Sequence, residues 1–209
     1  MKLISIVIPA YNEEGNLRKI RDEIANVFQG LENYRYEIIF INDGSRDNTQ
    51  AVLEKMATEF SEVKFLEFSR NFGHQYAVKA GLDFAQGNAV ISMDADLQHP
   101  PQLIPEMIQH WEQGYDLVYT LREYNQSVSF FKKKTSNFFY KVLVSLSDVE
   151  IEKGSSDFRL MDASVAEVMR HASESDLFLR GLSKWIGFKQ YAVHYTAGDR
   201  FSGTSKYSL

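Results

Sequence analysis

Apolar residues recur along this chain in two rhythms. Leu3 to Ile8, Tyr36 to Ile41, Val63 to Phe68, Ala89 to Met93 and Tyr115 to Thr120 are apolar runs of strand length. Between them the spacing turns helical. Leu17, Ile20, Ile24, Val27 and Phe28 form one apolar face, and Val52, Met56 and Phe60 another. Further helices are expected near Gly73 to Gln86 and after Pro101, where two prolines stop the chain and can start a helix. Strand–helix alternation of this kind predicts an α/β domain with a mostly parallel sheet covered by helices on both faces. The second half is less regular, with helices and one late strand from Gln190 to Tyr195. No internal repeat or low-complexity linker interrupts residues 1–209, so they read as a single domain.

Polar residues gather just past the strand ends. In an open α/β sheet, ligands bind beyond the carboxyl ends of the strands. Pro9-Ala10-Tyr11-Asn12-Glu13 follows the first strand. Taken alone it reads more readily as a plain β-to-α loop with Asn12 as a helix cap. Asn42-Asp43-Gly44-Ser45 follows the second strand; Asp43 can accept bonds from a base or ribose, or can serve only the turn. Asp47 can cap the helix after it. After the fourth strand come Asp94, Asp96 and Gln98. Two carboxylates there have a natural use in holding a hard divalent cation that in turn holds phosphates. Three polar loops on one sheet edge converge, which weakens the separate bland readings. No Gly-x-Gly-x-x-Gly follows the first strand and no Gly-x4-Gly-Lys-Ser/Thr occurs, which argues against a dinucleotide fold or a P-loop.

Bulk properties narrow the class further. The chain has 209 residues, 44% hydrophobic and 24% charged, with a formal net charge of -5. That is enough for one sizeable core, and the charge does not mark a nucleic-acid binder. The absence of cysteine is compatible with a reducing compartment. No window approaches the roughly 18 apolar residues of a membrane span.

In order along the chain stand Val7-Ile8-Pro9-Ala10-Tyr11-Asn12-Glu13-Glu14, Asn42-Asp43-Gly44-Ser45, Ser69-Arg70-Asn71-Phe72-Gly73 and Met93-Asp94-Ala95-Asp96-Leu97-Gln98-His99-Pro100-Pro101. Ser156-Asp157-Phe158-Arg159-Leu160 and Arg200-Phe201-Ser202-Gly203-Thr204-Ser205-Lys206-Tyr207 complete the set. With these the chain resembles family 2 glycosyltransferases of the Rossmann-like GT-A fold. More narrowly, it is similar to the polyprenyl-phosphate glycosyltransferases, the dolichol-phosphate mannose synthase-like and undecaprenyl-phosphate glucosyltransferase-like group.

The resemblance implies roles residue by residue. Pro9, Tyr11, Glu13 and Asp43 would contact the donor nucleoside. Asp94, Asp96 and Gln98 would hold a divalent metal, Mg²⁺ or Mn²⁺, with the donor diphosphate. Arg200, Ser202 and Lys206 would belong to a loop near 199–207 that closes over the diphosphate. Arg122 would meet the acceptor phosphate. Asp96, Asp157 and Arg200 are the candidate catalytic residues, with Asp157 equally open to a structural role. The resemblance also divides the domain at about residue 122 into a nucleotide-sugar half and an acceptor half.

Between Val128 and Leu146, Val128, Phe131, Phe138, Phe139, Val142 and Leu146 share one side of a helical wheel, with Lys133 and Lys141 opposite. An aromatic stripe with a lysine face suits an amphipathic helix in a membrane interface, and Lys132, Lys133 and Lys134 could draw an anionic lipid phosphate. A core-packed helix with a solvated lysine face is the alternative. Relatives of this kind often continue into transmembrane helices, so a catalytic domain of a longer membrane protein is expected. The function implied is inverting transfer of one sugar from a nucleotide-diphosphate sugar to polyprenyl phosphate at the cytoplasmic membrane face. The alternatives are a saccharide acceptor, or a non-catalytic nucleotide-sugar-binding protein on the same fold. The nucleotide, the sugar and any homo-oligomer are left open.

Overall fold

The computed structural model describes residues 1–123, 152, 154–172 and 179–196. The expected amphipathic helix near 128–146 and the closing loop near 199–207 lie outside these residues. So do Lys132, Lys133, Lys134, Arg200, Ser202 and Lys206.

The elements run β1 (Lys2–Ala10), α1 (Leu17–Phe28), β2 (Tyr34–Asn42), α2 (Thr49–Glu59), β3 (Val63–Glu67), α3 (His74–Phe84) and β4 (Ala89–Ser92). A 3₁₀ turn at Pro101–Leu103 leads into α4 (Ile104–Glu112). Then come β5 (Leu117–Glu123), β6 (Ser155–Asp162), α5 (Ala163–His171), α6 (Leu179–Trp185) and β7 (Gln190–Thr196). The strands form one sheet in the order β3-β2-β1-β4-β6-β5-β7. β1, β2, β3 and β4 pair in parallel, and β5 pairs in parallel with β7. Only β6 among the described strands runs antiparallel to its neighbours, β4 and β5.

Why the sheet is buried on both faces is visible in β1. Ile4, Ile6 and Ile8 face one cluster with Leu17, Ile20 and Ile24 of α1 and Met107 of α4. Val7, from the opposite parity, joins Ala77, Val78 and Leu82 of α3 and Val165 and Met169 of α5. Successive side chains of a strand point to opposite faces, so a run of apolar residues fills both. At Gly81 in α3, an added Cβ would overlap Val7, which lets this helix lie close on the sheet.

The expected elements appear with their ends shifted by up to three residues, and one strand is added. Phe60 lies just beyond α2 with extended backbone, because the chain turns there into β3. The fifth strand starts at Leu117 and continues to Glu123, two residues on from the expected start. The larger difference is β6, which the sequence reading does not expect. It enters the sheet between β4 and β5, so the second half of the chain completes the same sheet rather than a separate layer.

Candidate active site

The carboxyl ends of β1, β2, β3, β4 and β5 share one edge of the sheet, and β6, being antiparallel, begins there. Its start carries Asp157 to the same edge as Asp94 and Asp96. The Ser92 hydroxyl donates to the Asp157 carbonyl at 2.7 Å and ties the two strands at that point.

The first two loops are locked together. The Asn12 N–H donates to Ser45 Oγ at 2.9 Å, and the Arg46 N–H donates back to Asn12 Oδ1 at 2.8 Å. The Glu13 N–H donates to Thr49 Oγ1 at 2.9 Å, and the Glu13 carboxylate accepts from the Asn16 amide at 2.6 Å. Asn12 takes a left-handed φ of 54°, which asparagine tolerates better than most residues. It thus joins two loops rather than capping α1, whose N-cap is Asn16. Asp47, expected to cap α2, accepts from the Thr49 N–H at 3.0 Å, while the N-cap position itself is taken by Asn48. Pro9 is buried, and Tyr11 is half-buried at the mouth.

Asp43 is 3% exposed. Its Oδ1 accepts from the Phe72 N–H at 2.7 Å and its Oδ2 from the Gly73 N–H at 3.0 Å. The carboxylate therefore holds the third loop in place. A Cβ on Gly44 would overlap the backbone of Arg70 and Asn71, and its φ is +65°, so the close approach of loops two and three requires glycine.

Asp94 and Asp96 are half-buried in the loop after β4. The Asp94 N–H donates to His99 Nδ1 at 3.0 Å. An Nδ1 that accepts leaves the proton of a neutral imidazole on Nε2, which lies 3.7 Å from Asp94 Oδ2. His99 is buried against Phe158 and Tyr195, so its ring is held from both sides. The Gln98 N–H donates to Asp96 Oδ1 at 3.1 Å, and Leu97 between them has φ 64°. The loop is thus bent back on its own carboxylates.

On the other flank, His74 opens α3. Its Nε2 lies 3.7 Å from Asp94 Oδ1 and 3.4 Å from Asp157 Oδ2. Arg159, two residues along β6, is buried; it donates to Ser183 Oγ at 2.6 Å and to the Ser156 carbonyl at 2.9 Å. Arg122 stands near the carboxyl end of β5, half exposed, opposite Tyr195 of β7.

The structure therefore sets Asp94, Asp96, Gln98 and Asp157 at one sheet edge, with His74 between Asp94 and Asp157 and the Asp43-held loop beside them. Sequence reasoning assigned no role to His74 or His99. His99 stands inside the quoted strand-end segment, one residue ahead of the double proline. His74 follows Gly73, a glycine that here has φ +105°.

The donor set can be tested against a divalent cation. Hard cations take oxygen, and Mg²⁺ is commonly held by one or two carboxylates plus substrate phosphates. Among the described residues no group of three or more His, Cys, Asp or Glu is placed to hold a metal alone. Two half-exposed carboxylates in one short loop fit the shared mode, with donor phosphates completing the shell.

Comparison with known proteins agrees with this architecture. The model of glycosyl transferase family 2 matches residues 5–170. An uncharacterised glycosyltransferase of Bacillus subtilis, YkcC, is 46% identical over 206 residues, covering 98% of this chain and 63% of that protein. A bactoprenol glucosyl transferase of Shigella phage SfV is 39% identical over 205 residues, covering 98% of this chain and 66% of that protein. A mannosyltransferase of Pyrobaculum calidifontis, solved with GDP-Man and Mn²⁺, superposes with a TM-score of 0.66 at 14% identity. That comparison covers 98% of this chain and 58% of the other, and is a likeness of fold. The chain spans somewhat under two thirds of the first curated relatives' length, 62–64%. On the strength of the family model and these relatives, the chain belongs to glycosyl transferase family 2.

Proposed function

We propose that this chain is the catalytic part of a hexosyltransferase. It moves one sugar from a nucleotide-diphosphate sugar to a polyprenyl phosphate, with inversion, at the cytoplasmic face of a membrane. The observation that carries this reading is the likeness, at 38–39% identity, to proteins named for glucosyl transfer to bactoprenol, a lipid acceptor. The convergence of Asp94, Asp96 and Asp157 at one sheet edge supports it.

The chemistry follows from the acceptor. A phosphate monoester is largely dianionic near neutral pH, so it needs no general base. Its oxygen forms a bond to the anomeric carbon from one face while the bond to the donor diphosphate breaks on the other, which inverts the configuration. Asp94, Asp96 and Gln98 would hold a divalent cation, Mg²⁺ or Mn²⁺, and this cation would neutralise charge growing on the leaving diphosphate. Pro9, Tyr11 and Glu13 are proposed to line the nucleoside side. Asp43 acts there by holding the loop that carries Arg70 and Phe72. Arg122 can fork onto the acceptor phosphate, a geometry suited to guanidinium. Arg200, Ser202 and Lys206 are proposed to cover the donor diphosphate, and Lys132, Lys133 and Lys134 to draw the lipid phosphate.

The test is direct. The protein is incubated with Mn²⁺ or Mg²⁺, a short polyprenyl phosphate and a panel of UDP- and GDP-sugars. A glycolipid formed from one donor, and lost with EDTA, is the expected outcome. Sugar transfer to saccharides in place of the lipid would overturn the acceptor assignment. Nucleotide-sugar binding without turnover would overturn the reading as an enzyme.

A further inference from the structure

We infer that His74 is a positioning residue that links the acceptor-side carboxylate Asp157 to the strand-end carboxylate Asp94. The inference deepens the proposed transfer and rests on it for the reaction it serves.

One imidazole nitrogen faces two carboxylates that come from different parts of the chain. Nε2 lies 3.4 Å from Asp157 Oδ2 and 3.7 Å from Asp94 Oδ1. Asp157 is the more buried of the two, with 13% of its side chain exposed against 37% for Asp94. Two carboxylates this near one another repel. An imidazole nitrogen within 4 Å of both is placed to lower that repulsion when it carries the ring proton. These contacts are longer than strong hydrogen bonds, and catalytic contacts in unliganded sites commonly tighten once substrate is bound.

His74 is itself held in place from behind. Asp43 accepts from the backbone N–H groups of Phe72 and Gly73, the two residues ahead of it. Gly73 has φ +105°, so the chain turns sharply there before α3 begins. Asp43, the Phe72–Gly73 turn and His74 thus form a continuous path from the second strand to the start of β6. Along it, the placement of the donor loops sets the placement of Asp157. The only other imidazole near Asp94 among the described residues, His99, is committed to the Asp94 backbone. His74 is the one that reaches β6.

The variants are His74→Ala and His74→Gln, the latter keeping an N–H donor at a similar reach, each alone and combined with Asp157→Asn. Two readouts are taken. In nitrogen NMR of the histidine rings, Asp157→Asn should shift the His74 Nε2 signal and leave that of His99 in place. This readout decides the inference even if the parent protein makes no glycolipid, an outcome that would count against the proposed transfer and not against the placement of His74. In the transfer assay, His74→Ala should lower kcat by roughly tenfold or more, as losses of partners behind functional groups do. Mn²⁺-dependent affinity for the nucleoside diphosphate should stay within about threefold, and His74→Gln should recover most of the rate. Asp157→Asn should cost much less in the His74→Ala background than in the parent, because interacting residues are not additive. An unmoved His74 signal, equal losses in His74→Ala and His74→Gln, or additive effects with Asp157→Asn would each overturn it.

Discussion

Asp96 is the residue on which the proposed chemistry leans most. It contributes a half-buried carboxylate whose backbone is bent by the Leu97 left-handed turn, with one oxygen accepting from the Gln98 N–H. Asp96→Ala is expected to lower transfer by at least about a hundredfold, the scale of several kcal/mol of charge stabilisation. It should leave the thermal unfolding midpoint near that of the parent, since this side chain is not part of the core. Steady-state rates with a matched melting curve check it, and turnover equal to the parent would remove Asp96 from the metal site. Gly44 makes a different kind of prediction. A Cβ there would meet the Arg70 and Asn71 backbone, and the φ of +65° is itself costly for alanine. Gly44→Ala should destabilise by about 1–3 kcal/mol and displace the loop that Asp43 holds. Urea midpoints read the first effect, and a raised KM for the donor reads the second. A variant with the parent's midpoint and KM would mean that loops two and three do not need this contact.

Between elements, the polar contacts are concentrated where strands and helices must be fixed against each other. Glu37 of β2 is buried and accepts from the Ser5 hydroxyl of β1 at 2.6 Å and from the Lys64 ammonium of β3 at 2.7 Å. Burial pushes its carboxyl up, but the Lys64 and Ser5 bonds outweigh this, and it sits below the ordinary glutamate range. A carboxyl with a depressed folded pKa stabilises the fold fully above its unfolded value, about 4.3. That contribution is lost as pH falls through the lower folded value. Stability measured by urea at stepwise pH should therefore decline below about pH 4.3, and Glu37→Gln should be less stable at neutral pH with a shallower acid decline. Parallel curves for the two proteins would show that Glu37 is not among the groups responsible. Asp162 works in the same sense at the end of β6. It accepts from the Ser164 N–H at the start of α5 and from the Trp111 indole of α4, and burial is again outweighed by these bonds. Arg170 of α5 donates to the Leu82 and Ala85 carbonyls, closing the end of α3.

At the scale of the whole molecule, the proposed membrane association is the property to test. No described helix is long and apolar enough to cross a membrane. The segment from Val128 to Leu146 carries the expectation of a surface-lying helix. Liposome flotation with anionic lipid is the measurement. Replacing Phe131 and Phe138 with Ser should weaken flotation by removing buried apolar area, and replacing Lys133 and Lys134 with Ala should make the remaining binding less sensitive to salt. If both double variants float like the parent, this segment does not carry the membrane contact.

The sequence by itself determined most of the local structure and which polar residues gather at one edge. Apolar runs and helical spacing report burial, and burial is what shapes β1 to β4 and their helices, so these elements were legible. The strand-end carboxylates and the quoted segments also sufficed for the family. β6 was not legible, because a strand carrying Arg159, Asp157 and two serines does not look apolar. Its arginine is buried where Ser183 and the Ser156 carbonyl, brought from α6 and from β6 itself, accept from it. Tertiary structure alone decided the strand order, the reversal that sets Asp157 beside Asp94, and the locking of the three loops. These rest on pairings such as Ser92 with Asp157, 65 residues apart, and on contacts between loops that periodicity does not record. His74 gains its place between two carboxylates only once β4, β6 and α3 share one sheet edge, since each side chain's meaning there depends on the other two being folded.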